Sequence, residues 1–219
     1  MIHSSINDNW MRVTVMHSIA RDLYAATADT DFRNRITNGG DTFPFDATAY
    51  DTIENESRIV GMVVAWSVVT LESLVNHQLA VTIEDTAQAA TAIRYPSKTM
   101  KELGIPKSKD SELAKKLVIL RHKMSQSSDE DPSLIELANS LADKRNAIVH
   151  DKPFRLVDRG DGDVDIEWFT ASRTTDSPTF RYDDLPEFYA NCHFLKECVI
   201  AASPEPLDCD LGFGSLACG

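Results

Sequence analysis

IVGMVVAWSVVTLESLVNHQLAV, residues 59–81, is apolar on nearly every face of a helix. A helix that is hydrophobic all round is one that several neighbours must cover. Its β-branched residues leave strands as a competing reading, but the segment from about Thr52 to Ile83 contains no turn signal, and that length favours helix. A long central helix therefore sets the fold class. Within it Glu72 and Asn76 are four residues apart and share one face. A buried carboxylate is costly unless paired, so Glu72 calls for a partner.

Working outward, residues 6–27 read as an amphipathic helix with Ile6, Trp10, Val13, His17, Ala20 and Tyr24 on one stripe, where His17 is a packed or edge residue. TNGGDTFPFDATAY, residues 37–50, reads as a loop. Residues 84–110, with YPSK and LGIPKSKD, read as an irregular connection, and residues 112–124 as a short amphipathic helix followed by the polar loop SQSSDED. Asp131 is placed to cap the next helix, Pro132 suits its first turn, and Pro153 must stop it near Lys152.

RLVDRGDGDVDIEWFT, residues 155–170, alternates like a β-hairpin turning at Gly160 to Gly162. Its acids Asp161, Asp163 and Asp165 do not make a calcium loop, which needs Gly where Ile166 stands and Glu where Ser172 stands. Asp183 or Asp184 caps a last helix with Leu185, Phe188, Tyr189, Cys192, Leu195 and Val199 on its apolar face. The expected architecture is all-α: a bundle of about five helices with one small β-hairpin inserted. Residues 1–203 form one domain and residues 204–219 an irregular tail.

Composition agrees with an ordinary soluble domain: 219 residues, 42% hydrophobic and 26% charged. MIHSSINDNWMRV lacks the pattern of a signal peptide, and no run of about 18 uninterrupted apolar residues occurs, so a cytoplasmic protein without membrane partners is expected. The net charge of −12 argues against nonspecific binding to polyanions. That charge is uneven, because residues 98–123 carry eight Lys or Arg against three Asp or Glu. This stretch is either a solvated helix face or a local basic surface able to hold a nucleic acid. Cys192, Cys198, Cys209 and Cys218 lack the paired spacing of a zinc site and read as buried thiols.

The helix that starts at Pro132 carries an anomaly. Leu134, Leu137, Ala138, Leu141 and Ile148 fall on one stripe, and Arg145 falls in the middle of it. A core-facing arginine requires a carboxylate, for which Glu72 is the candidate, or a place where the stripe emerges into a cleft or subunit interface. Asn146 and His150 share a neighbouring face, about 140° around from Arg145 in the case of His150. Cationic side chains in a last turn also suit the helix dipole, which is the plainer account of both.

At RNAIVH, residues 145–150, the chain resembles the HEPN superfamily (higher eukaryotes and prokaryotes nucleotide-binding domains). That family's signature is an arginine, four to six residues of which the first is often Asn, Asp or His, then a histidine near a helix end. AWSVVTLESLVNHQ, residues 65–78, is similar to its upstream helix, with a Glu-Ser-Leu-x-Asn core. The resemblance covers roughly residues 50–200. It implies an all-α fold, commonly a homodimer with facing motifs, and often a metal-independent endoribonuclease that leaves 2′,3′-cyclic phosphate and 5′-hydroxyl ends.

By that resemblance Arg145, Asn146 and His150 are the catalytic residues, with Glu72 and Asn76 in support and no metal or cofactor required. It also implies RNA as substrate, a role as a toxin of a toxin–antitoxin pair or an antiphage defence effector, and an antitoxin or inhibitor protein as partner. The chemistry is apt. A guanidinium can fork to phosphate, and an imidazole titrating near neutrality can carry a proton. The alternative is a non-catalytic HEPN module for dimerisation or for binding a nucleotide or protein partner.

Overall fold

The computed structural model describes residues 2–28, 32–33, 43–125, 132–150, 154–160, 163–168, 181–201 and 211–217. Among the described residues there are eight α-helices: α1 (Ile2–Thr27), α2 (Ala47–Thr82), α3 (Thr86–Arg94), α4 (Pro96–Glu102), α5 (Glu112–Ser125), α6 (Pro132–His150), α7 (Leu185–Ala201) and α8 (Phe213–Ala217). Three strands accompany them, β1 (Phe43–Pro44), β2 (Phe154–Gly160) and β3 (Asp163–Trp168), antiparallel in the order β1-β3-β2, with a register shift between Asp158 and Gly160. The class is all-α, as expected.

Helix α2 is the central element. From Ile59 to Ile83 only Met62 is exposed. It is long and apolar enough to cross a membrane by length and composition, yet 56% of its most apolar 18-residue window is buried inside the protein, as in a core helix. The helix starts five residues before the expected Thr52, because Asp46 caps it. The Asp46 carboxylate accepts the Ala49 N–H at 3.0 Å and its carbonyl accepts that of Tyr50 at 2.9 Å.

Three of the helices were not expected from the sequence. Residues 84–110 hold α3 and α4 rather than an irregular connection. Asp85 caps α3, accepting the N–H groups of Ala87 at 2.8 Å and Gln88 at 3.2 Å. Pro96 opens α4, and Gly104 at φ +72° closes it in a Schellman turn, with Ile105 N–H on Met100 O at 2.9 Å and Gly104 N–H on Lys101 O at 3.2 Å. The tail, expected to be irregular, contains α8, whose Phe213 is fully buried.

The chain divides into two compact units. The first comprises residues 1–11, 66–143 and 186–219. Its core includes Ile6, Leu71, Leu74, Leu117, Leu120, Leu141, Phe188, Tyr189 and Phe213. The Phe213 ring sits edge-on to Trp10 at 4.6 Å and tilted against Tyr189 at 6.2 Å, which ties the tail helix down. Asn139 fixes the approach to α5, donating to Asp110 Oδ1 at 2.8 Å and accepting the Ser111 N–H at 2.7 Å. The second unit comprises residues 12–65 and 144–185, with Val13, Ala20, Phe32, Ile53, Val60, Val63 and Val64 buried.

Several expected features lie outside the described residues: the SQSSDED loop with Asp131, the turn at Asp161 and Gly162, Ser172, Lys152 with Pro153, Cys209 and Cys218. Of the other cysteines, Cys192 is buried and Cys198 half-buried.

Candidate functional site

Helix α6 carries the motif. Its stripe behaves as the periodicity predicts at the start, with Leu134, Ala138 and Leu141 buried. Leu137 between them is half-buried, and beyond Ala142 the cover thins, with Arg145 and Ile148 half-buried. Arg145 thus stands where the stripe emerges, the second of the two positions its residue type allows. The guanidinium donates from Nε at 3.3 Å and from Nη2 at 3.2 Å to Oδ1 of the exposed Asn146. Two donors of one planar fork on one amide oxygen fix the fork's orientation. His150 is the last residue of α6, and its side chain lies outside the described residues.

A glycine lets this helix end approach α2 closely. A Cβ on Gly61 would lie 3.0 Å from Ile148 Cγ2, so only the bare backbone of α2 lets the last turns of α6 approach this closely. Gly61 stands inside an otherwise apolar helical run, where glycine costs about 1 kcal/mol relative to alanine. A glycine tolerated there is a sign of close packing, but nothing in the sequence says which element packs against it.

The two supporting residues belong to the first unit. Glu72 has its required partner: Lys116 Nζ donates to Oε1 at 2.6 Å. Arg145 was the partner expected; the ammonium that Lys116 brings on its long stem, from the buried face of α5, meets the same requirement of the carboxylate. Lys116 belongs to the basic stretch, and at 5% exposure it is no part of a solvated face. Asn76 is half-buried, and its Oδ1 is buried with no hydrogen-bond partner among the described residues.

The second unit also holds a polar cluster that sequence reasoning missed. Arg33 is buried and forms an ion pair with the buried Glu56, Nη2 with Oε2, supported by Nη1 to Oε1 at 3.4 Å. Thr27 Oγ1 accepts from Arg33 Nε at 2.9 Å and Nη2 at 2.6 Å, and the guanidinium lies over the Tyr24 ring at 4.7 Å. Burial pushes the Arg33 pKa below its ordinary value, but a guanidinium remains charged. Tyr182 closes the cluster. Its N–H reaches Glu56 Oε1 at 3.4 Å, and its ring stacks on Tyr24 at 5.0 Å and leans on His17 at 5.5 Å. His17 is the packed residue expected, and burial first, then Arg21, lowers its pKa.

Among the described residues no group of three or more His, Cys, Asp or Glu is gathered as a metal site. No family model, curated protein or solved structure matches the chain.

Proposed function

We propose that the chain is a HEPN-type, metal-independent endoribonuclease of the cytoplasm, acting as a toxin of a toxin–antitoxin pair or as an antiphage defence effector. On this reading two copies bring their α6 ends together in a homodimer, and β2 with β3 forms the small hairpin inserted after the motif helix. The observation that carries it is Arg145: a guanidinium at the emerging end of an apolar stripe, its fork oriented by Asn146, five residues before a helix-terminal histidine.

The chemistry runs through named groups. Arg145 forks to the non-bridging oxygens of the scissile phosphate and stabilises the charge that builds as the 2′-oxygen attacks. His150 takes the 2′-hydroxyl proton as the bond to phosphorus forms. The bond to the 5′-oxygen breaks, that oxygen takes a proton from solvent, His150 returns its proton to solvent, and the products are a 2′,3′-cyclic phosphate and a 5′-hydroxyl. Asn146 keeps the arginine in register.

The test is incubation of purified protein with RNA, followed by analysis of the ends. Cyclic-phosphate ends lost in Arg145→Ala and in His150→Ala support the reading, whereas cleavage unchanged in both variants overturns it. The alternative is a non-catalytic module for dimerisation or for binding a nucleotide or protein partner, which leaves RNA uncut by the parent protein as well as by both variants.

A further inference from the structure

The basic stretch resolves into two parts. Lys116 turns inward to Glu72, but the corner between α3 and α4 and the segment after it present their cations to solvent. Residues 94–109 contain five cations, Arg94, Lys98, Lys101, Lys107 and Lys109, all exposed, and a single carboxylate, Glu102. Among the described residues only Lys98 of the five has a carboxylate neighbour, Glu102 at 3.8 Å, a loose exposed pair. In a chain of net charge −12 this concentration of cations is a local reversal of sign. At physiological salt, screening acts within about 8 Å, so the local sign governs what binds here.

Next to Arg94 and before Lys98 stands Tyr95, 64% exposed. Its backbone is held from both sides. The Tyr95 N–H closes α3 on Thr91 O at 2.7 Å, and its carbonyl opens α4 by accepting from Lys98 N at 2.9 Å and Thr99 N at 3.2 Å. Behind it Pro96, Thr99 and Met100 are buried, which anchors the opposite face of α4. The ring is therefore presented on a rigid corner, and the hydrophobic effect alone gives no reason to leave it in water. Arg94 precedes the ring, Lys98 follows one helical step on, and Lys101 lies a further turn along α4.

We propose that the α3–α4 corner is a binding site for single-stranded nucleic acid, with a base stacked on Tyr95 and the flanking phosphates held by Arg94, Lys98 and Lys101. An exposed aromatic ring amid cations is the combination such strands require, since every base offers a π-face and every linkage a charge. A partner that is only acidic, such as a carboxylate-rich peptide, would use the cations but not the ring. Binding at this corner does not depend on the proposed cleavage chemistry, and either can fail without the other.

The experiment is fluorescence anisotropy with the full chain and two uncleavable probes, a 2′-O-methyl oligouridylate and an oligothymidylate, with polyglutamate as competitor. Tyr95→Leu is expected to weaken binding of at least one probe about tenfold, the size of one lost stack, while Tyr95→Phe retains it. Reversing Lys98 and Lys101 to Glu reduces the salt dependence by about 0.7 in log–log slope for each phosphate that is no longer neutralised. Both Tyr95 variants are surface changes and are checked by thermal melting. Binding indifferent to Tyr95→Leu, or polyglutamate competing as well as the oligonucleotides, overturns the proposal and makes the corner a docking point for an acidic protein.

Discussion

Arg33 and Arg145 lie in the same unit and place opposite demands on their surroundings. Arg33 is 7% exposed and is met by a carboxylate, a threonine hydroxyl and an aromatic face. Arg145 is half-buried at a helix end, and its fork rests on the amide of its own neighbour. An arginine in the core calls for such a set of partners, because an uncompensated buried charge costs about 3–5 kcal/mol. One at the margin needs no such complete set of buried partners, because solvent meets part of its charge. The difference separates a guanidinium that holds structure from one suited to chemistry.

The sharpest way to break that contrast is to truncate each arginine. Arg33→Ala strands Glu56 in the core and is expected to cost about 3–5 kcal/mol. For a chain of this length that lowers the melting temperature by roughly 6–20 °C. Calorimetry of the variant decides it, and an unchanged melt would mean the pair contributes nothing. Arg145→Ala should do the reverse: stability within about 1 kcal/mol of the parent, but RNA cleavage down about 10²–10³-fold, the usual loss for one donor aimed at a transition-state oxyanion. Arg145→Lys should recover little of that rate, since an ammonium cannot reproduce the planar fork.

How much of this could be read in advance varies with the range of the interaction. Local periodicity placed α1, α2, α5, α6 and α7, because burying a helical stripe is a demand each segment makes by itself. The short α3 and α4 were missed although their signals are local: Asp85 is a cap and Pro96 a first-turn proline, but the nearby Gly and Pro were read as breakers of any helix. Partners are a different matter. That Glu72 needs a cation follows from its apolar helix, whereas Lys116 as that cation follows only from tertiary packing. Arg33 and Glu56, 23 residues apart, carry no mark that joins them. At the candidate site the anomaly of Arg145 was legible, and the role of Gly61 under Ile148 was not.

Gly61 gives a finer test. Gly61→Ala gains up to about 1 kcal/mol of helix propensity but sets a methyl 3.0 Å from Ile148 Cγ2. Ile148 is half-buried and can yield by a few tenths of an ångström. Net stability should therefore shift by less than about 1 kcal/mol, while the last turns of α6 are displaced and cleavage falls. Pairing Gly61→Ala with Ile148→Ala, which removes the Cγ2 methyl from the contact, should restore the activity. If the single variant cleaves RNA at the parental rate, the close approach does not position Arg145.

His17 offers the smallest effect and acts on the Arg33 side alone. Its ring leans on Tyr182, whose N–H and ring are both part of the Arg33–Glu56 cluster, and burial favours the neutral imidazole. The folded pKa is thus below the ordinary value of about 6.5. Between those two values the unfolded chain binds more protons, so this contribution is complete above about pH 6.5 and is lost as the pH falls toward the folded value. The ring is only half-buried, so the slope should stay well under the one-proton ceiling of about 1.4 kcal/mol per pH unit. Comparing denaturant midpoints of the parent and His17→Asn from pH 5 to 8 isolates it from the other histidines. The parent should lose stability on acidification more steeply than the variant. Parallel curves would mean that His17 titrates as it does in the unfolded chain and that its packing against Tyr182 is not maintained in solution.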